Sequence, residues 1–190
     1  LIANEWILPG GKQINACDDF SNEANKVFSP TDKTGKSARG LLSPTLATSC
    51  IQAQKPYGVI ALSLKSRAAI PLAGPHGTPI WFDTKGARFT SSTAFMKRLP
   101  SWVDAMNSHL EKTIVAHKKS SWTPCFAPDS PEYEQVDHDT YAYSGYPFSL
   151  IEKPVAFVDE KTGAPYYHPF EQTPQASLEL FRLGQLAIQD

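Results

Sequence analysis

Three cysteines in 190 residues, Cys17, Cys50 and Cys125, none of them in a Cys-x-x-Cys pair, exclude a disulfide scaffold and a cysteine-built zinc module. They leave open one pair plus a free thiol, or three buried thiols behaving as small hydrophobes. Net charge is scarce as well: 18 basic against 19 acidic residues give −1, which offers no electrostatic reason to expect nucleic acid or an anionic membrane as a partner. No run approaches the ~18 consecutive apolar residues of a membrane-spanning helix. The opening Leu1-Ile2-Ala3-Asn4-Glu5-Trp6 has neither an initiator Met nor the basic-then-apolar layout of a signal peptide. Any function that relies on charge must therefore be local.

What is present is an ordinary globular composition, 41% hydrophobic, 19% charged and 11% aromatic. Residues 1–56 read as a loop-rich segment with turns at Pro9-Gly10-Gly11 and Thr34-Gly35-Lys36-Ser37, then a short helix from 41 to 51 with Ser43 as its cap and Pro44 at its first position. Residues 57–118 carry a strand at Val59 to Leu64. A hairpin follows, with arms Pro79–Asp83 and Ala87–Phe95 around Thr84-Lys85-Gly86. After it comes a helix opened by Pro100 whose Trp102, Val103, Met106 and Leu110 share one face. Residues 119–172 hold six of the seven tyrosines, are rich in proline, and have no sustained period, as expected of a lid or insertion made of long irregular loops. Residues 173–190 form a helix with Thr173 as cap and Pro174 in its first turn. That helix has no stop signal and ends on Asp190, where the macrodipole disfavours an acid, so the expectation is a chain that continues further. The fold class is α/β.

The apolar run Val59 to Leu64 reads as a buried strand of a parallel sheet, and Lys65 and Arg67 stand at its end with one residue between them. On a persisting strand they share a face, with Cα atoms about 6 to 7 Å apart, close enough to touch one tetrahedral oxyanion. Arg offers a planar donor fork and Lys a compact charge. By spacing alone, a strand that has reached the surface and solvated its charges is the more ordinary reading.

Other motifs fail on inspection. Thr34-Gly35-Lys36-Ser37 lacks the earlier glycine of a phosphate-binding loop, since position 30 is Pro30. Asp137-His138-Asp139 has ligand chemistry but no second cluster nearby, and a solvated acidic turn fits it better. His109 and His117 lie two helical turns apart, too far for a shared ion. No nucleophile-elbow pattern occurs.

The run from Gly58 to Gly74 with its Lys65-x-Arg67, followed in order by Ile80-Trp81-Phe82-Asp83, Phe89-Thr90-Ser91-Ser92 and Leu99-Pro100-Ser101-Trp102-Val103, resembles the alkaline phosphatase superfamily. The likeness is to its phosphate-irrepressible, phosphomonoesterase branch, related to nucleotide pyrophosphatases and phosphodiesterases. Ala3-Asn4-Glu5-Trp6 resembles the segment after that branch's nucleophile helix, and the final helix resembles the one before its second set of metal ligands.

The resemblance implies a partial alkaline-phosphatase-like sheet with covering helices, and a two-zinc mechanism with a threonine nucleophile. It gives Lys65, Arg67 and Asn4 the task of binding phosphoryl oxygens. The nucleophile and the zinc ligands are expected outside these residues, so the chain is expected to be inactive alone, with small-molecule phosphate esters and the remainder of a parent chain as partners. A periplasmic or secreted location is implied too. The family's residue between Lys and Arg is acidic where this chain has Ser66, so an ion pair beside the two cations is expected to be missing. A diesterase or another phosphoryl or sulfuryl hydrolase of the superfamily, and a non-catalytic binding module, are the alternatives.

Overall fold

The computed structural model describes residues 5–21, 25–30, 34–53, 58–117, 168–171 and 173–189. Its centre is a three-stranded sheet of order β3-β4-β5. Strand β3 (Ile60–Ser63) and strand β4 (Thr78–Asp83) are parallel, with Leu62 opposite Ile80. They are joined by helix α2 (Ser66–Ala73), which makes a βαβ unit. Strand β5 (Arg88–Thr90) returns antiparallel, with Phe82 opposite Phe89.

Side-chain alternation along β4 builds both cores. Ile80 and Phe82 face one cluster with Phe89, Trp102, Met106 and Leu183, while Trp81 faces the other with Ala69, Ile70, Cys17 and Val27. Residues 79 to 83 are accordingly buried throughout. The first cluster lies under α3 (Ser101–His117), α4 (His168–Glu171) and α5 (Pro174–Gln189), and the second lies under α2. Helices thus cover both faces of the sheet, as a parallel pair requires.

Several expectations hold. Trp102, Val103, Met106 and Leu110 are core, and the face continues to Ile114 because α3 runs on past Leu110. Thr173 caps α5, its Oγ1 accepting from the Ala176 amide at 3.3 Å. The hairpin is present, but its second arm stops at Thr90. Ser91 and Ser92 leave the ladder to donate to the Pro79 and Lys36 carbonyls. The left-handed residue of its loop is Ala87, φ 51°, and not Gly86.

Other expectations are corrected. The first helix, α1, spans Leu46–Gln52 and is capped by Thr45, not Ser43: Thr45 and Thr48 form a reciprocal capping box. Residues 9–40 are more than surface loop. Strand β2 (Gln13–Asn15) pairs antiparallel with β1 (Glu5–Ile7) across the Gly10 and Gly11 turn, both at positive φ. The rest of the segment is tied to itself by isolated bridges at Asp18 with Lys36 and Lys26 with Gly35, and to the body by one at Val27 with Ser92. Cys17 is buried but Cys50 is exposed and both are free, so three buried thiols is excluded. Strand β3 is less buried than its apolar sequence suggests, with Ile60 44% exposed. Within the 119–172 insertion the described part is α4, whose Phe170 is 1% exposed and packs 5.6 Å from the Phe82 ring. The remainder, with Cys125 and Asp137-His138-Asp139, lies outside the described residues, as does Asn4.

Candidate functional site

Strand β3 ends at Ser63 for a local reason. The Lys65 amide donates to Ser63 Oγ at 3.1 Å, which draws the backbone out of the ladder. Lys65, still extended at φ −126° and ψ 132°, becomes the N-cap of α2. Its carbonyl accepts from the Ala68 and Ala69 amides, both at 3.0 Å. The expectation of one strand face carrying Lys65 and Arg67 is therefore wrong: one caps a helix and the other sits in its first turn. Ala68 and Ala69 are strong helix formers, and Ala69, Ile70 and Ala73 are buried at helical spacing. Pro71 is tolerated because its missing N–H removes a single bond, to the Arg67 carbonyl, near the end of a short helix.

The two cations nevertheless meet. Both line a cleft of about 240 Å³ at the carboxyl ends of β3 and β4, the edge where open α/β sheets bind ligands. Lys36 and Lys85 complete its cations, Asp83 and Glu171 are its acids, and Trp81 and Phe82 form part of its wall. Four cations against two carboxylates leave a formal surplus of two positive charges on the lining. Lacking a side-chain cap, α2 also directs the open amides of its first turn, Ser66 and Arg67, toward the N-terminal end.

The charges are not equivalent. Lys36 is buried and ion-paired with Asp18. Lys65 Nζ lies 3.3 Å from Glu171 Oε1, the ammonium side 38% exposed and the carboxylate side 5%. An ion pair beside the cations is thus present, supplied from α4 and not by residue 66. Asp83 accepts from Ser29 Oγ and from the Lys85 amide at 2.9 Å. Arg67, half-buried, has no ion-pair partner among the described residues.

Lys36 is fixed by the folding of the N-terminal segment. Asp19 accepts from Ser21 through both its hydroxyl and its amide, from Ser37 Oγ at 2.7 Å and from Asn25 Nδ2 at 2.8 Å. These bonds, those of Ser21 and Ser37 foremost, hold its carboxyl well below the usual range. Neighbouring Cys17 is pushed up to about 11 by burial. Gly35 has no substitute here, since a Cβ would stand 2.2 Å from the Asp19 carbonyl oxygen.

Sequence reasoning missed Lys36, Asp83, Lys85 and Glu171. Two of them had a signal: in a parallel β3 and β4 the residues after both strands meet at one edge, which brings Asp83 and Lys85 beside Lys65. Glu171 had none, because its approach to Lys65 depends on tertiary packing. His109 is exposed and faces Glu179 and Arg182 on α5, where Glu179 Oε1 accepts from Arg182 Nη1 at 2.6 Å. Among the described residues, no group of three or more His, Cys, Asp or Glu could hold a metal ion. No described helix is long and apolar enough to cross a membrane.

No family model matches the chain. It is 32% identical over 112 residues to alkaline phosphatase PhoV of Synechococcus elongatus and 33% identical over 89 residues to alkaline phosphatase PafA of Elizabethkingia meningoseptica, covering 57% and 46% of this chain. A protein of Myroides odoratus named a calcium-transporting ATPase is 25% identical over 135 residues, 70% of this chain. The chain spans about a quarter or less of the length of these relatives, 24%, 20% and 15% in turn for the ATPase, PhoV and PafA. The crystal structure of wild-type PafA matches 98% of this chain with TM-score 0.64 at 24% identity, over 36% of its own length. A PafA variant with a threonine, an asparagine, a lysine and an arginine substituted matches 94% of this chain with TM-score 0.61 at 21% identity, over 34% of its length.

Proposed function

The chain belongs to the alkaline phosphatase superfamily, and on that premise we propose that it supplies the phosphoryl-binding part of a phosphomonoesterase. The observation that carries the reading is the convergence of Lys65, Arg67 and the open end of α2 on one cleft with a surplus of positive charge. A phosphate monoester is a dianion near neutral pH and a diester a monoanion, so each cation attracts the monoester about twice as strongly at a given distance. Arg67 offers two parallel N–H donors to two non-bridging oxygens, and Lys65 a point charge to a third. The Ser66 and Arg67 amides add fixed dipoles that need no reorganisation as charge shifts during phosphoryl transfer.

Asn4 takes a third phosphoryl contact by resemblance. The zinc ions that the resemblance implies find no ligand set among the described residues. In this reading the ligands and the threonine nucleophile lie outside these 190 residues, the substrates are small phosphate esters, and the complete protein works in the periplasm or outside the cell. The part of 119–172 outside α4 serves as the specificity lid.

The test is kinetic, on the complete protein that carries this chain. Lys65→Ala and Arg67→Ala should each lower kcat/KM for an aryl phosphate monoester by about 10²-fold, the usual scale for one lost oxyanion donor. The loss for the matched diester should stay below about tenfold. Equal losses on both substrates would remove the monoester reading.

A further inference from the structure

Lysine is a poor instrument for placing a charge, since its four-carbon stem is free to move and its ammonium has no preferred plane. Lys65 is an exception because of what stands behind it. Glu171 is 8% exposed as a residue, and its carboxylate, 3.3 Å from Lys65 Nζ, is more enclosed than the ammonium it faces. Both residues line the cleft, and the buried member of the pair is the acid while the more exposed member is the ammonium.

The acid is also firmly mounted. Phe170, next to it, is 1% exposed and packs 5.6 Å from Phe82, which lines the same cleft. The Phe170 carbonyl accepts from the Thr173 amide at 2.9 Å and from Thr173 Oγ1 at 2.7 Å, which ties α4 to the start of α5. A surface ion pair between two mobile side chains has none of this support.

We propose that Glu171 is a positioning residue for phosphoryl binding: it holds the Lys65 ammonium beside the open end of α2, so that the ordering of the lysine stem is complete before substrate arrives. The inference rests on the reading of Lys65 given above. Arg67, with no acid partner among the described residues, is left to adapt to the ligand, while Lys65 is fixed. Ser66 does not need to be acidic, because the carboxylate is supplied by α4.

The experiment is a double-mutant cycle in the complete protein, with an aryl phosphate monoester, the matched diester, and inorganic phosphate as competitive inhibitor. Glu171→Gln should lower monoester kcat/KM about tenfold and weaken phosphate inhibition by a similar factor, while diester turnover changes by less than twofold. In a Lys65→Ala background the same change should have almost no further effect, because the residue it positions is gone. Glu171→Asp, which keeps the charge on a shorter stem, should recover part of the loss. A merely structural role would lower both activities together and would add to Lys65→Ala, and either result overturns the proposal. If Lys65→Ala impairs the monoesterase and Glu171→Gln does not, the inference on Glu171 alone falls. If Lys65→Ala is itself without effect, the phosphoryl-binding role of Lys65 falls with it.

Discussion

The outer edge of β5 is closed by a side chain, and removing it should be costly. Asn107 on α3 accepts the Phe89 amide on its Oδ1 at 2.7 Å and donates from Nδ2 to the Phe89 carbonyl at 2.9 Å, so one carboxamide makes the two bonds a neighbouring strand would make. Phe89 is 1% exposed, which keeps water from replacing them. Asn107→Leu preserves size and removes both partners. Two net hydrogen bonds at about 1 kcal/mol each, plus the desolvation left on a buried N–H and C=O, give a loss of about 3 to 4 kcal/mol. Hydrogen exchange reads this locally: the Phe89 amide should exchange at least 10²-fold faster, since about 1.4 kcal/mol corresponds to tenfold. Asn107→Asp adds a second signature. At neutral pH its carboxylate keeps the bond from Phe89 N but sets an oxygen against Phe89 O. Protonation restores a donor there, so the deficit against wild type should shrink as pH falls through the carboxyl titration. If Asn107→Leu costs less than about 0.5 kcal/mol, within the range of an ordinary surface change, or if the Asn107→Asp deficit is the same at pH 7 and pH 4, the carboxamide is not closing the sheet.

Two further outcomes follow from the geometry. Gly74 stands at φ 65° and ψ −170°, a region open almost only to glycine, and a Cβ there would meet Thr45 Oγ1 at 2.5 Å. Gly74→Ala should therefore destabilise by about 2 to 4 kcal/mol in urea unfolding, and pairing it with Thr45→Ala should relieve the clash but not the backbone strain; a neutral Gly74→Ala would refute the packing of α1 on α2. Asp19, whose carboxyl lies below its ordinary 3.8, contributes stability that is complete above the unfolded-state value and is lost as pH falls through the folded one. Asp19→Asn should thus be less stable than wild type at pH 7 yet show a shallower decline below about pH 4, and parallel acid limbs for the two proteins would count against the carboxylate network.

What could be read in advance followed the kind of force involved. The α5 cap at Thr173, the buried face of α3 and the β4-β5 hairpin were legible because apolar period and cap chemistry are local. The start of α1 was displaced because Ser43-Pro44 and Thr45 both satisfy the N-terminal rules, and the reciprocal bond with Thr48 chose between them. Residues 9–40 read as loop because their few buried apolar residues, Ile14, Cys17 and Val27, have no period, and much of the remaining burial is of polar groups, Asp19 bonded to Ser37 and Lys36 paired with Asp18, which a hydrophobic pattern does not register. The strand-to-helix change at Ser63 was missed for a related reason. A mostly apolar run supports either element, and the bond from the Lys65 amide to Ser63 Oγ marks where the strand gives way to the helix.

That one bond matters for the chemistry more than the misplaced strand does. Had β3 continued, Lys65 and Arg67 would have lain side by side on an extended face, with their donors alone to offer an anion. Ending the strand at Ser63 makes Lys65 a helix cap, so the two cations are joined by the unpaired amides of α2 and are placed at the edge where β4 delivers Asp83 and Lys85. Parallel pairing is what makes this convergence inevitable: the crossover helix must begin at the same edge at which its second strand ends. The acids then decide how much charge is left. Glu171 engages Lys65 and Asp18 engages Lys36, while Arg67 has no ion-pair partner among the described residues. Even with Asp18 counted against Lys36 the cleft keeps positive charge in excess, so the monoester preference proposed above rests on the local charge balance of the cleft in a chain whose overall charge is close to zero.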